Sequence, residues 1–153
     1  GEMIKNVWFS KSEYNESPFK FEAGTPDYVG AAALGSALDY IADIGIDSIA
    51  KHEKKLLEYA TDKLRNIDGF RIIGNASNKC SVISFLIGNT HPYDVGVLLD
   101  QLGIAVRTGT HCAETVMQHY NISGTARISF GLYNSPEEID IMTNSLARIV
   151  KML

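Results

Sequence analysis

The chain has 153 residues, 45% of them hydrophobic and 21% charged, a composition that fits one ordinary globular domain and excludes a disordered or fibrous chain. Lys plus Arg number 14 against 18 Asp plus Glu, and the net charge of −4 argues against nucleic acid and anionic membrane as partners, since both call for a basic face. No apolar run approaches the roughly 20 residues of a membrane span, residues 1–10 lack the charged and apolar regions of a signal peptide, and 2 cysteines make no disulfide framework, so a reducing, cytoplasmic setting is expected.

In chain order, the sequence opens without Met at position 1 and runs directly into the apolar, β-prone segment Ile4–Phe9. That start is expected of a piece cut from a longer chain. Residues 10–21 are polar with interspersed aromatics and read as a loop or arm. Thr25-Pro26-Asp27 is a helix start, with Thr25 as N-cap and Pro26 in the first helical position. The apolar set Val29, Ala33, Ala37, Tyr40, Ile41 and Ile44 then recurs at helical spacing, and Gly45 closes the helix. Asp47 is expected to cap a second helix with Ile49, Leu56, Leu57, Ala60, Leu64 and Ile67 inward, ending at Asp68-Gly69.

The period then changes. Phe70–Ile73 and Val82–Ile87 are β-branched and aromatic runs around a turn at residues 74–78. Residues 92–102 read as a helix with Val95, Leu98, Leu99 and Leu102 inward and Gly103 as the stop. Ile104–Val106 is expected as a short strand, residues 108–114 as a loop of small residues, and residues 116–120 as one or two helical turns. Thr125–Gly131 alternates, with Ala126, Ile128 and Phe130 on one face and Thr125, Arg127 and Ser129 on the other. Ser135-Pro136-Glu137-Glu138 is a capping box that opens a last helix, with Ile139, Met142, Leu146, Ile149 and Leu153 inward. The fold expected is α/β, an α+β two-layer sandwich with helices on a small, mostly antiparallel sheet.

Three places could carry chemistry. Cys112 lies in Arg107-Thr108-Gly109-Thr110-His111-Cys112-Ala113-Glu114, where small residues leave it accessible and Arg107 and His111 would favour the thiolate. Spacing alone leaves open whether it is reactive or structural. Arg127 is held mid-strand, rigid enough to grip a carboxylate with both guanidinium arms; taken alone it reads better as a solvated arginine on the open face of the sheet. Gly24-Thr25 at a helix start offers N–H groups, a hydroxyl and a positive dipole end to a phosphate, although plain capping explains it as well. Cys80, entering an apolar strand, is expected in the core, and a disulfide to Cys112 is not expected. His111, Cys112, His119 and Cys80 lack the paired spacing of a zinc site, so no metal is expected. His52 is expected to be solvated, and His91, before Pro92, to be a capping or loop residue.

Together these residues resemble a known family. Arg107–Ala113 resembles the R-x-G-x-x-C stretch of the pyridoxal-phosphate-dependent cysteine desulfurases, in their SUF-type (group II) branch of the class V aminotransferases. Phe21-Glu22-Ala23-Gly24-Thr25-Pro26 resembles that family's F-E-A-G-T-P segment. Gly1-Glu2-Met3-Ile4 resembles the end of its G-G-x-M-I stretch, and Arg127-Ile128-Ser129-Phe130-Gly131-Leu132-Tyr133-Asn134 its R-x-S-x-x-x-Y-N strand. The likeness runs over essentially the whole chain.

The resemblance implies the C-terminal small domain of a fold-type I pyridoxal-phosphate enzyme. Residues 1–28 would be a strand and arm from the edge of a missing large domain, and residues 29–153 the small domain. It implies Cys112 as the nucleophile that takes sulfur from L-cysteine as a persulfide and leaves alanine. Arg127 would hold the substrate carboxylate, Arg107 would line the substrate site, and Gly24 and Thr25 would reach the cofactor phosphate of the other subunit of a homodimer. A sulfur-acceptor protein of SUF type and supply of iron–sulfur cluster assembly would follow. The cofactor lysine has no counterpart here, since Lys51, Lys54, Lys55, Lys63, Lys79 and Lys151 read as surface, so the chain alone is expected to be inactive. Thr110 stands where the family often has a second His, and Thr115 where it usually has Pro, which bears on the choice of sulfur over selenium. A selenocysteine lyase or other class V enzyme, and a non-enzymatic interaction or persulfide-carrier module, are the alternatives.

Overall fold

A computed structural model describes residues 3–152. Gly1-Glu2 of the opening motif and Leu153 of the last helix face lie outside the described residues. The chain divides into two compact units between Ile46 and Asp47.

The first unit holds an antiparallel hairpin of β1 (Ile4–Val7) and β2 (Ser12–Tyr14), a 3-10 turn at Phe19–Phe21, and helix α1 (Tyr28–Ile44). The helix starts later than Thr25-Pro26 implies. Asp27 is its N-cap, with Oδ1 accepting from Gly30 N–H at 2.8 Å, so Thr25 lies outside the helix and a carboxylate occupies its positive end. The apolar spacing of α1 makes a helix but does not bury one. No residue of α1 is buried, and Val29, Leu34, Leu38 and Tyr40 are exposed. A two-stranded hairpin and one short turn offer no layer wide enough to receive that stripe.

The second unit is a mixed α/β structure. Its sheet has strand order β3 (Phe70–Ile73), β4 (Val82–Ile87), β6 (Thr125–Ser129), β5 (Arg107–Gly109), every pairing antiparallel. The helices are α2 (Ile46–Leu64), α3 (Pro92–Asp100), α4 (Glu114–Tyr120) and α5 (Pro136–Val150). One sheet face, with Ile83, Phe85, Ile87, Ala126 and Ile128, shares a single buried cluster with Leu56, Ala60 and Leu64 of α2, Val95 and Leu99 of α3, and Ile139, Met142 and Leu146 of α5. Each Val, Leu, Ile, Phe or Met side chain among them contributes roughly 1.5–3 kcal/mol by leaving water. Phe70 stacks on Phe85 with centroids 4.8 Å apart and closes the β3 edge of the core.

Local signals account for the helix ends here. Ser135 accepts from Glu138 N–H and Glu138 reaches back to Ser135 N–H at 3.0 Å, with Pro136 in the first turn, so the capping box forms as read. His91 caps α3 through Tyr93 N–H. Asp47 falls in the first turn of α2 and not at its cap. Leu102 is exposed because α3 ends at Asp100. Replacing Ser135 with Ala in the full-length protein should cost about 1 kcal/mol, read as a lower urea midpoint; an unchanged midpoint would mean the box does not hold α5.

Three expectations need correction. The pairing strand is Arg107–Gly109, not Ile104–Val106: Gly109 pairs with Thr125, while Ile104 and Val106 pack half-buried on the core without joining the ladder. Cys80 is exposed, because the paired, inward-alternating part of the strand starts two residues later at Val82. His52 is half-buried, with Nε2 3.0 Å from the Asn134 carbonyl. Asn134 in turn accepts from Gly131 N–H at 2.9 Å and donates to Glu138 at 3.0 Å, so one side chain ties the end of β6 to the start of α5.

Candidate active site

Sheet register decides which side chains meet. Ile73 pairs with Ser84, Ser84 with Arg127, and Arg127 with Arg107, so these four residues form one transverse row on the face opposite the core. Arg107 and Arg127 are therefore direct cross-strand neighbours, and like charges so placed repel. No ion pair with an acidic group offsets this among those formed by the described residues, which join Lys5 to Glu13, Lys54 to Glu58 and Lys63 to Asp140. Arg127 is half-buried, and its Nε is buried without a hydrogen-bond partner. An unsatisfied guanidinium N–H beside a second guanidinium suits a planar anion, a carboxylate above all.

Past the end of β5, the loop to α4 turns through Thr110, His111 and Cys112. Cys112 is exposed, and Arg107 Nη2 lies 3.8 Å from its Sγ. At that distance a guanidinium N–H can donate a weak hydrogen bond to the sulfur. The same arginine thus faces both the thiol and Arg127. Cys80 and Cys112 are both free thiols. No three His, Cys, Asp or Glu side chains gather as a metal cluster among the described residues.

His111 does not supply the second cation expected of it. Burial pushes its pKa below the ordinary imidazole value; the bond to Thr125 works the other way, and Arg127 and Arg107 push it lower again. The ring is therefore neutral at neutral pH. Because the folded His111 binds a proton less readily than the unfolded one, its contribution to stability is complete above the unfolded value of about 6.5 and is lost as pH falls through the lowered folded pKa. His111→Gln should flatten that acid-side loss in urea unfolding compared at pH 7.5 and 5.5, settings that bracket the free imidazole at about 6.5.

Gly24 and Thr25 belong to the first unit and Cys112, Arg107 and Arg127 to the second. At Gly24, φ is +76° and nothing lies within 4 Å of where a Cβ would stand, while Thr25 is exposed. The helix-dipole part of the phosphate expectation fails, since Asp27 caps α1, but an open glycine turn with a free-standing hydroxyl still suits a phosphate oxygen. Of the lysines expected on the surface, Lys51, Lys54, Lys55 and Lys151 are exposed, Lys79 is half-buried, and Lys63 is paired with Asp140. Two clefts of about 400 and 360 Å³ lie elsewhere, one between residues 103–105, the end of β6 and α5 and one beside α3, and neither is lined by Cys112, Arg107 or Arg127. The two arginines stand on the sheet face opposite the core and the thiol on the exposed loop beside it.

Sequence reading singled out Cys112, Arg107 and Arg127 and set Arg107 near the thiol; it did not foresee Arg107 directly opposite Arg127 in the sheet. It missed Thr125 as a partner of His111, and Asn134 as the tie behind β6. An Asn three residues after Gly131 and four before Glu138 was the available signal.

The class V aminotransferase model matches residues 1–142, and the chain belongs to that family of pyridoxal-phosphate-dependent enzymes. A probable cysteine desulfurase of Xylella fastidiosa (strain Temecula1) is 46% identical over 153 residues, all of this chain and 37% of the relative. The cysteine desulfurase of Escherichia coli (strain SE11) is 42% identical over 154 residues, with 38% of its length covered. Among solved structures, the apo cysteine desulfurase from Thermococcus onnurineus NA1 superposes with a TM-score of 0.86 at 37% identity, over 100% of this chain and 38% of that one. The Escherichia coli cysteine desulfurase CsdA (S-sulfonic acid) gives 0.87 at 32% identity, again over 100% and 38%. The chain thus spans well under half the length of the proteins it matches.

Proposed function

We propose that this chain is the C-terminal part of a cysteine desulfurase that moves the sulfur of L-cysteine onto Cys112. The observation that carries the reading is the exposed Cys112 thiol beside Arg107, itself directly across the strands from the unpaired Arg127. A sulfur-accepting nucleophile and a carboxylate clamp then share one arginine. Sequence likeness to proteins named cysteine desulfurases supports the same reading.

Arg127 grips the carboxylate of L-cysteine and orients its sulfur toward the loop. Arg107 holds the Cys112 sulfur through its guanidinium N–H, 3.8 Å away. Pyridoxal phosphate, when bound, supplies the electron sink that weakens the substrate Cβ–S bond. The Cys112 thiolate takes the sulfur: the Cβ–S bond breaks, an S–S bond forms, and the carbon gains a proton to become alanine. Thr25 and the Gly24 turn are the residues of this chain that would hold the cofactor phosphate, and in a homodimer they would serve the other subunit. The cofactor lysine would come from a large domain outside residues 1–153, so the chain alone would be inactive; residues 1–28 would be an arm at that domain's edge. The R-x-G-x-x-C spacing from Arg107 to Cys112 favours the SUF-type branch, with cytoplasmic transfer of the persulfide sulfur to an acceptor protein for iron–sulfur cluster assembly.

The test is mass spectrometry of the full-length protein after L-cysteine and pyridoxal phosphate. One added sulfur on the Cys112 peptide is expected. Alanine formation with no modification of that peptide would refute the transfer.

A further inference from the structure

The loop that carries the thiol has an uncommon backbone. His111 and Cys112 are consecutive residues with φ of 57° each, in the left-handed region where a Cβ crowds the carbonyl that follows. Such a pair persists only where its surroundings impose it. The backbone supplies one tie, Ala113 N–H to the Thr110 carbonyl at 3.0 Å. Arg107 touches Cys112 Sγ, but both residues are exposed.

The firm tie is His111. Its Nε2 lies 3.1 Å from the Thr125 carbonyl and 2.9 Å from Thr125 Oγ1. Thr125 is wholly buried and fixed in the ladder opposite Gly109. A carbonyl only accepts and Nδ1 has no partner, so the tautomer that satisfies the most groups puts the proton on Nε2 and leaves Nδ1 bare. Nδ1 is itself buried and unpartnered. A second proton there would make an unpaired, buried N–H next to two guanidiniums, so the ring is suited to pinning the loop and not to carrying protons. The approach depends on glycine: a Cβ at Gly124 would stand 2.9 Å from the Gly109 carbonyl oxygen, too close for the two strand ends to meet as they do.

We propose that His111 is a positioning residue for the sulfur-accepting step, anchoring the loop to Thr125 so that the Cys112 thiol stays beside Arg107. The inference rests on the desulfurase reading of Cys112.

The test uses the full-length protein. His111→Leu keeps bulk and removes the donor; His111→Gln places an amide N–H near the position of Nε2. His111→Leu is expected to lower kcat on L-cysteine about 10- to 100-fold, with KM within about twofold because both arginines remain. His111→Gln should recover most of the loss. Without cofactor or substrate, peptide-resolved alkylation of Cys112 at pH 7 should slow about tenfold in His111→Leu, because the thiol leaves Arg107, and return in His111→Gln. Wild-type kcat and alkylation in His111→Leu would overturn the anchor. So would a His111→Gln protein as slow as His111→Leu, which would make the ring itself a reacting group. If the wild-type protein does not turn over L-cysteine, the desulfurase reading has failed, and alkylation still decides whether His111 holds the thiol. If His111→Leu does not fold, the ring 15N shifts of wild-type His111 decide instead: a proton on Nε2 supports the anchor and a proton on Nδ1 overturns it.

Discussion

In the full-length protein given pyridoxal phosphate and L-cysteine, Cys112→Ala is expected to abolish sulfide and alanine release while cofactor absorbance stays. The loss should be about 10³-fold or more, because removing a covalent nucleophile removes the step itself and not one interaction within it. The second thiol of this chain offers no substitute. Cys80 lies in the connection between β3 and β4, outside the Arg107–Arg127 row. Activity on L-cysteine that survives the mutation would remove Cys112 from the reaction and favour a lyase of the selenocysteine type. Loss of cofactor absorbance together with activity would point instead to a folding defect.

Arg127 carries the second large effect, and here activity and stability are expected to move in opposite directions. Arg127→Ala should lower kcat/KM about 10²- to 10³-fold, mainly through KM, since the substrate carboxylate loses its charged partner. Arg127→Lys should recover only part, because an ammonium lacks the planar fork. The substrate-free protein gains from the same change. Arg127 faces Arg107 across the strands and buries an unpaired Nε–H. Arg127→Met removes the repulsion and the orphan donor together and keeps the stem, so it should raise the unfolding free energy by about 1 kcal/mol, read as a higher urea midpoint. An unchanged KM in the alanine variant would separate Arg127 from the substrate carboxylate. A lower midpoint for Arg127→Met would mean that the arginine pair is satisfied without substrate.

The same arginines mark how far sequence reading reaches. Arg127 alone reads as a solvated residue on an open sheet face, and only its place in a family-like motif raises it above that. The reason it is more than that lies in register: a shift of β5 by one residue would put Thr108 opposite Arg127 and turn Arg107 toward the core. Nothing local to residues 107–109 sets that register. Cys80 and the α1 stripe fail for a related reason. Apolar neighbours and helical spacing report that a face could be buried, while burial needs a second layer, and within the first unit α1 has none. Thr25-Pro26 has the signature of a helix start, but Asp27, two residues on, competes for the same cap and holds it.

What this sequence determines by itself is whatever depends on neighbours along the chain. Glu138 lies three residues beyond Ser135, so the capping box closes within one turn. β3, β4 and β6 form where β-branched runs alternate, and the Arg107–Cys112 spacing puts an arginine and a thiol at the two ends of one short loop. The tertiary structure decided what depends on residues distant in sequence. It set Arg107 against Arg127 through the β5–β6 pairing, and it made His111 harder to protonate by burying its ring near both arginines. It brought His52 to Asn134 across 82 residues. Local torsions and capping bonds act over one turn of chain, whereas cross-strand register, burial and the loss of a proton are properties of the packed sheet.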